Sequence, residues 1–292
     1  MGWRCAGIGV RRAGCALRAQ RSTVLAALAG VLLAGNAPSL NAETVLITGA
    51  NSGIGLEFAK QYAEKGWTVI ATHRRREAPD TLTTLQAEFP RVRIETLDVT
   101  NVEQARSLAV KLADTPIDVL INNAGVYNDR SECGADDGCA GNWTTQAFGN
   151  YDYDLLDTIM AVNIKGPLIV SEAFYDNVKA SGQKRIVAIS SSNGTLTGEA
   201  RPGPGAAFYR MSKAALNREM QIVAASTRAD GVTVIMFNPG PTLTEHQEYL
   251  RGRFDGMLEV SFTVGHMIAT IDRVTIADTG QFLRYDGETE PW

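Results

Sequence analysis

Histidine and cysteine are the scarce residues of this 292-residue chain, with three of the first and four of the second. His73, His246 and His266 stand in no H-E-x-x-H spacing and the cysteines form no C-x-x-C pair, so no metal site is expected. Basic residues are a minority too, 28 Lys and Arg against 32 Asp and Glu, which removes the phosphate footprint that a nucleic-acid partner requires. There is no internal repeat and no apolar run of the roughly 20 residues that a membrane-spanning helix needs. What remains, 45% hydrophobic and 21% charged residues with 28 glycines, is globular composition at a length that one large domain can fill.

The few basic residues are unevenly placed. Arg4, Arg11, Arg12, Arg18 and Arg21 are the only charged residues in 1–42, a net +5 that leaves −9 on residues 43–292 against the chain total of −4. An apolar stretch from Val24 to Ala34 and the small residue Ala42 before Glu43 complete the pattern of a secretory signal peptide, and with it the expectation of an exported, periplasmic protein. Two other readings stay open: extra residues from a mis-assigned start codon, which would leave the protein cytoplasmic, and a short membrane anchor that is never cut. Cleavage would leave only Cys133 and Cys139, separated by Gly134 to Gly138. That pair suits either a disulfide made in an oxidising compartment or two unrelated thiols.

From Glu43 the pattern changes. Thr44 to Ile47 is a short apolar run of the kind that forms a buried strand, and Thr48-Gly49-Ala50-Asn51-Ser52-Gly53-Ile54-Gly55 follows it into a helical stretch, Leu56 to Lys65. Strand, glycine turn and helix in that order open a dinucleotide-binding unit: the glycines let backbone approach a pyrophosphate, and the helix N-terminus offers N–H groups. No Lys-Ser or Lys-Thr follows the last glycine, so the turn is not a P-loop. The second strand, Thr68 to Thr72, ends in His73-Arg74-Arg75-Arg76, where an NAD-binding unit would carry an acid for the ribose hydroxyl. Three cations there favour NADP over NAD, with Arg74 the best single candidate; a solvated arginine loop is the competing reading for the others. A methyltransferase could use a similar turn, but it would explain neither Arg74 nor the Tyr-Lys pair below.

Further strands are expected near Val92–Thr96, Ile117–Ile121, Arg185–Ser190 and Val232–Phe237. Helices are expected near Asp80–Glu88, Val102–Leu112, Asp152–Ala180 and Phe208–Ala229. Regular alternation of strand and helix over the whole body predicts an α/β fold with one doubly wound parallel sheet, a three-layer αβα sandwich of the Rossmann type.

Tyr209 and Lys213, four apart, fall on one face of the last of those helices. A phenol near pKa 10 is a poor base at neutral pH, and an ammonium about 5 Å away in an effective dielectric of about 20 would bring it down by an amount worth roughly 3 kcal/mol. Upstream, Ser190-Ser191-Ser192 sits where a strand delivers its carboxyl end to the ligand crevice of such sheets. Alternation of side chains lets only one hydroxyl point correctly; Ser191 is the first candidate, with Ser190 and Ser192 left open.

Taken together these residues resemble a short-chain dehydrogenase/reductase of the classical type over about 43–292, with 1–42 as the leader. The resemblance rests on the glycine turn, Asp98-Val99, Asn122-Asn123-Ala124-Gly125, Asn163, Ser191 followed by x-x-Gly, Tyr209 with Lys213, and Asn238-Pro239-Gly240-Pro241-Thr242-Leu243-Thr244. The C-terminal stretch from Gly280 to Trp292 is similar to the C-factor-like and sniffer-type carbonyl reductases. It implies Tyr209 as acid/base, Lys213 on the nicotinamide ribose and lowering the phenol, Ser191 orienting the carbonyl, and Asn163 holding a relay water. It also implies Gly49, Asn51, Ser52, Gly53, Ile54 and Gly55 around the pyrophosphate, Asp98 and Val99 at the adenine, and Asn123, Ala124 and Gly125 along the adenosine. Pro239, Gly240 and Thr244 would cover the nicotinamide.

The implied activity is hydride transfer between NADP and a small-molecule carbonyl or secondary alcohol. The alternative is a C-factor-like signalling or cofactor-sensing protein in which turnover is irrelevant. A homo-oligomer is compatible with either. The chain departs from the pattern in three places. Ser191 and Tyr209 are 18 apart, with Gly198 to Gly205 between them; Tyr127 to Tyr151 is long; and Glu245-His246-Gln247-Glu248-Tyr249 is polar where the subgroup has Asp-Met-Gly-Gly. Asp136-Asp137-Gly138 has no EF-hand spacing and reads as a solvated turn, and a lone His246 in a loop reads first as solvated.

Export with cleavage would place the N-terminus of the native protein near Glu43. Intact-mass spectrometry of protein purified from its source checks this, and an N-terminus at Met1 removes the export reading.

Overall fold

The computed structural model describes residues 42–128, 144–197, 206–253 and 255–292. The leader, Cys133 and Cys139, and the stretch 198–205 therefore lie outside the described residues. In chain order the elements are β1 (Thr44–Ile47), α1 (Gly53–Glu64), β2 (Thr68–His73), α2 (Asp80–Glu88), β3 (Val92–Thr96), α3 (Val102–Lys111) and β4 (Val119–Asn122). They continue with α4 (Tyr153–Met160), α5 (Gly166–Ala173), α6 (Tyr175–Lys179), β5 (Arg185–Ile189), α7 (Ala207–Thr227) and β6 (Thr233–Asn238). The last are β7 (Thr242–Leu243), β8 (Leu258–Glu259), α8 (Val260–Arg273) and β9 (Phe282–Arg284).

One all-parallel sheet carries the order β3-β2-β1-β4-β5-β6-β9, as the alternating pattern requires. Both faces are buried, and successive strand residues serve opposite cores. On one face Val45, Ile47, Val119, Ile121, Ile235 and Phe237 pack with Phe58 and Tyr62 of α1 and Met267 and Ile271 of α8. On the other, Leu46, Leu120, Ile186, Val234 and Met236 pack with Leu108 of α3, Val170 of α5, and Leu216 and Met220 of α7. The strand order reverses direction between β1 and β4, which is where such a sheet opens its ligand crevice.

The single helix expected over Asp152–Ala180 is instead broken. Asp152 caps α4 by accepting from the N–H groups of Asp154 and Leu155 at 3.0 and 3.2 Å, and a π-helical turn, Ala161–Lys165, then joins α4 to α5. Pro167 is the local reason: it has no N–H to send to the carbonyl four residues back, at Asn163, so regular α-helical bonding cannot pass that point. A second break lies at Phe174, before α6. Helix α8, strand β9 and the two-residue pair β7-β8 were not expected; β7 and β8 bracket the polar segment after Thr244 and fold it back toward the sheet.

Candidate active site

The carboxyl ends of β1, β4 and β5, the start of α7 and the segment after β6 surround one cleft of about 740 Å³. Its glycine turn is joined to the end of β4 by a dense set of bonds. The Thr48 hydroxyl accepts from the N–H groups of Asn123 and Ala124, both at 3.0 Å, and the Asn123 amide donates to the carbonyls of Thr48 and Gly49 at 2.9 and 3.1 Å. The turn has no room for larger residues: a Cβ on Gly55 would lie 2.4 Å from both the Asn123 side chain and the Gly49 carbonyl. Gly49 and Gly53 have φ of 64° and 55°, the left-handed region that glycine enters most easily.

At the far end of the cleft, β5 presents three serines with different fates. Ser190 is buried, and its hydroxyl bonds to Asn217 of α7 at 2.5 Å. Ser191 faces the cleft beside Tyr209 and caps the short turn Ser192–Gly194 through the Asn193 N–H at 3.2 Å. Ser192 is exposed at the rim. The open choice among the three thus falls to Ser191. Gly194 lets α7 approach, since a Cβ there would come within 2.8 Å of the Lys213 backbone.

Tyr209 and Lys213 share the same wall. The Lys213 ammonium stands 5.5 Å from the Tyr209 ring centroid and donates to the Ile189 carbonyl at 2.7 Å. Burial drives the two groups in opposite directions. It pushes the phenol up to about 12, with a smaller upward push from Tyr127, while the Ser191 hydroxyl pulls it down. It lowers the Lys213 ammonium to about 8. In the protein without cofactor, burial is the largest influence on the phenol.

Of the sequence-derived residues, Gly49, Asn51, Ser52, Gly53, Ile54, Arg74, Asp98, Val99, Asn123, Ala124, Gly125, Ser191, Tyr209, Lys213, Pro239, Gly240 and Thr244 all line this cleft. Gly55 and Asn163 stand behind its wall. The Asn163 amide donates to the Val126 carbonyl at 2.7 Å and to Ser212 Oγ at 2.9 Å, and its oxygen accepts from the Val126 N–H at 2.8 Å. Both amide hydrogens are thus engaged inside the protein, and the side chain acts as a clamp between the β4 loop and α7. Of the three arginines only Arg74 faces the cleft; Arg75 and Arg76 lie along a separate shallow depression with Pro79 and Asp80. Asp98 is held by Thr100, whose N–H and hydroxyl both donate to Oδ1.

Two features gave no signal in the sequence. Leu250 and Met257 add apolar surface near His246 and Gln247 on the substrate side. Glu245 reaches across to the first residue of α1 and accepts the Gly53 N–H at 2.7 Å. The first turn of α1 holds no acid of its own, so this carboxylate is the local partner of the helix's positive end. It stands in for an anion at the point where a dinucleotide phosphate belongs. That stand-in, the glycine cradle closed to any Cβ, and Arg74 at the cleft edge make the cleft chemically suited to a nicotinamide dinucleotide. Among the described residues no cluster could hold a metal ion, and no helix is long and apolar enough to cross a membrane.

The family described as short chain dehydrogenase matches residues 43–253. The C-signal protein of Myxococcus xanthus is 31% identical over 187 residues, 64% of this chain and 99% of that protein. The structure of an NADPH-bound carbonyl reductase from chicken fatty liver superposes with a TM-score of 0.73 at 26% identity, over 87% of this chain and all of that one. The carbonyl reductase Sniffer of D. melanogaster, 22% identical, shares the fold with a TM-score of 0.71 over 86% of this chain and all of its own.

The Glu245 contact has a measurable consequence. Glu245→Ala is expected to tighten NADPH binding about two- to fivefold, the size of a solvent-exposed charge contact. Fluorescence titration of NADPH checks it; unchanged or weaker binding would show that the carboxylate does not compete with the ligand.

Proposed function

The chain belongs to the short-chain dehydrogenase/reductase family, and within it we propose an NADPH-dependent carbonyl reductase acting on small-molecule aldehydes or ketones. The observation that carries this reading is the meeting, in one cleft, of a phenol held protonated, a buried ammonium and a glycine turn whose N–H already takes a carboxylate. The NADPH bound by the chicken reductase supports the cofactor.

NADPH, when bound, supplies the hydride. The remaining work belongs to the chain. Ser191, which lines the cleft with Tyr209, orients the substrate oxygen between itself and the phenol. With the phenol near 12, Tyr209 carries its proton at neutral pH, so it delivers that proton from Oη to the carbonyl oxygen as the carbon is reduced. The charge left on Oη is balanced by the nearby Lys213 ammonium, which the Ile189 carbonyl holds in place. Arg74 reads the 2′-phosphate at the cleft edge, and Leu250, Met257 and Tyr127 exclude water from the substrate side. The C-signal relative is compatible with a second reading, a signalling or cofactor-sensing protein whose output does not depend on turnover.

Tyr209→Phe separates the two. Abolished carbonyl reduction with unchanged NADPH affinity, and loss of the biological output, is the expected result; an output that survives favours the sensor. Lys213 is charged below its lowered pKa and neutral above it, so reduction should fall as pH rises through about 8; a flat profile from 7 to 9 contradicts the lysine's role. Arg74→Ala should weaken NADPH at least about tenfold and leave NADH nearly unchanged, as read by binding titrations.

A further inference from the structure

Helix α7, which carries Tyr209 and Lys213, starts without a cap of its own. The residue before it is Ala206, in the left-handed region at φ 59° and with no side-chain acceptor to offer. The first N–H groups of a helix have no partner within it. Here the N–H groups of Phe208 and Tyr209 both donate to Oε1 of Gln146, at 3.1 and 3.3 Å, from a position 62 and 63 residues away in the chain. Gln146 is 1% exposed, and its Nε2 donates to the Tyr127 carbonyl at 2.9 Å and to Asn128 Oδ1 at 3.2 Å. The whole bonding capacity of one amide is used: two hydrogens given, two accepted. A flipped amide would set N–H against N–H and oxygen against oxygen, so the orientation is forced.

The two things this amide joins face each other in the cleft. Tyr127 and Tyr209 meet edge to face with ring centroids 6.3 Å apart, and Tyr127 adds to the upward push on the Tyr209 phenol. Gln146 therefore holds one member of the pair by its carbonyl and the other by its N–H. Its own turn, Thr144–Gln146, is fixed in place by the Asp152 N–H donating to the Thr145 carbonyl at 2.9 Å.

We infer that Gln146 is the positioning residue of the reaction centre, setting the first turn of α7, and so the Tyr209 phenol, against the loop after β4. This rests on Tyr209 being the proton donor. A buried glutamine that merely stabilised the fold would lower the melting temperature and leave the phenol's environment alone; a positioning residue changes both.

The test uses Gln146→Met, close in shape without polar atoms, and Gln146→Glu, which keeps an oxygen for the two N–H groups but has at most one proton to give toward Tyr127 and Asn128. Asn177→Leu, which removes a buried amide bonded to the Leu112 and Thr115 carbonyls away from the cleft, is the stability control. Gln146→Met is expected to lower kcat for carbonyl reduction by roughly 10- to 100-fold, the scale of a misplaced catalytic group. NADPH affinity should stay within about twofold, as for a change outside the cofactor contacts. In cofactor-free protein labelled with ¹³C-tyrosine, the Tyr209 resonance, assigned with Tyr209→Phe, should titrate below the midpoint found for the wild type. Gln146→Glu should melt below wild type, since one buried acceptor loses its donor, and lose at least about threefold in kcat, a smaller fall than for Met because the cap survives. Asn177→Leu should lose stability and keep both kcat and midpoint. A wild-type kcat and midpoint in whichever Gln146 variant folds overturns the inference and leaves the proposed reaction standing. If Tyr209→Phe itself turns over normally, the reaction reading fails instead.

Discussion

Thr48 and Asn123 tie the turn after β1 to the loop after β4 at the point where the sheet reverses direction, and the cleft floor depends on that tie. One threonine hydroxyl takes two successive N–H groups from the β4 loop, and one asparagine amide returns two bonds to the turn after β1. With the two loops tied, the helix N-terminus, the glycines and the strand ends keep a fixed relation to one another, which is the preorganisation that both anion binding and proton transfer demand. Gly55 is part of the same constraint, because only a missing side chain lets the asparagine pass.

On the other side of the cleft the equivalent task falls to α7. Three contacts from different parts of the chain meet it. Ser190 reaches Asn217, Asn163 reaches Ser212, and the turn at Gly194 packs on the Lys213 backbone. The first half of the helix is thus held by groups in and behind the cleft wall. The electrostatics follow from that burial: the same removal of water that keeps the phenol protonated makes the ammonium easier to discharge.

Much of this was legible in the sequence, for identifiable reasons. Strands β1 to β6 and helices α1 to α3 announce themselves because their apolar residues repeat at the period of the element and their ends carry turn residues. The residues lining the cleft were legible because the short motifs fall at strand ends, where an α/β sheet binds. The π-helical turn at Asn163 was not, since apolar spacing averages over a single extra residue; Pro167, one turn on, is the signal that could have raised it. Gln146 and Glu245 were illegible for a different reason. Their partners lie 62 and 192 residues away, and nothing about a glutamine or a glutamate in a polar stretch says which backbone it will meet. The phenol's upward shift was missed because the sequence displays the lysine's charge and hides the burial of both groups.

The carboxylate of Glu245 on the Gly53 N–H also gives the cleft a threshold for selection. Any anion that arrives must displace an incumbent already linked to the protein and therefore always present at high local concentration. Inorganic phosphate or sulfate offers little beyond the one contact it would replace. A dinucleotide brings an adenine, two riboses and a nicotinamide along with its phosphates, and it can lose the contest at one N–H while winning it over the rest of the surface. An internal competitor of this kind filters ligands by size, admitting those that fill the cleft and turning away those that would only clog its most attractive point.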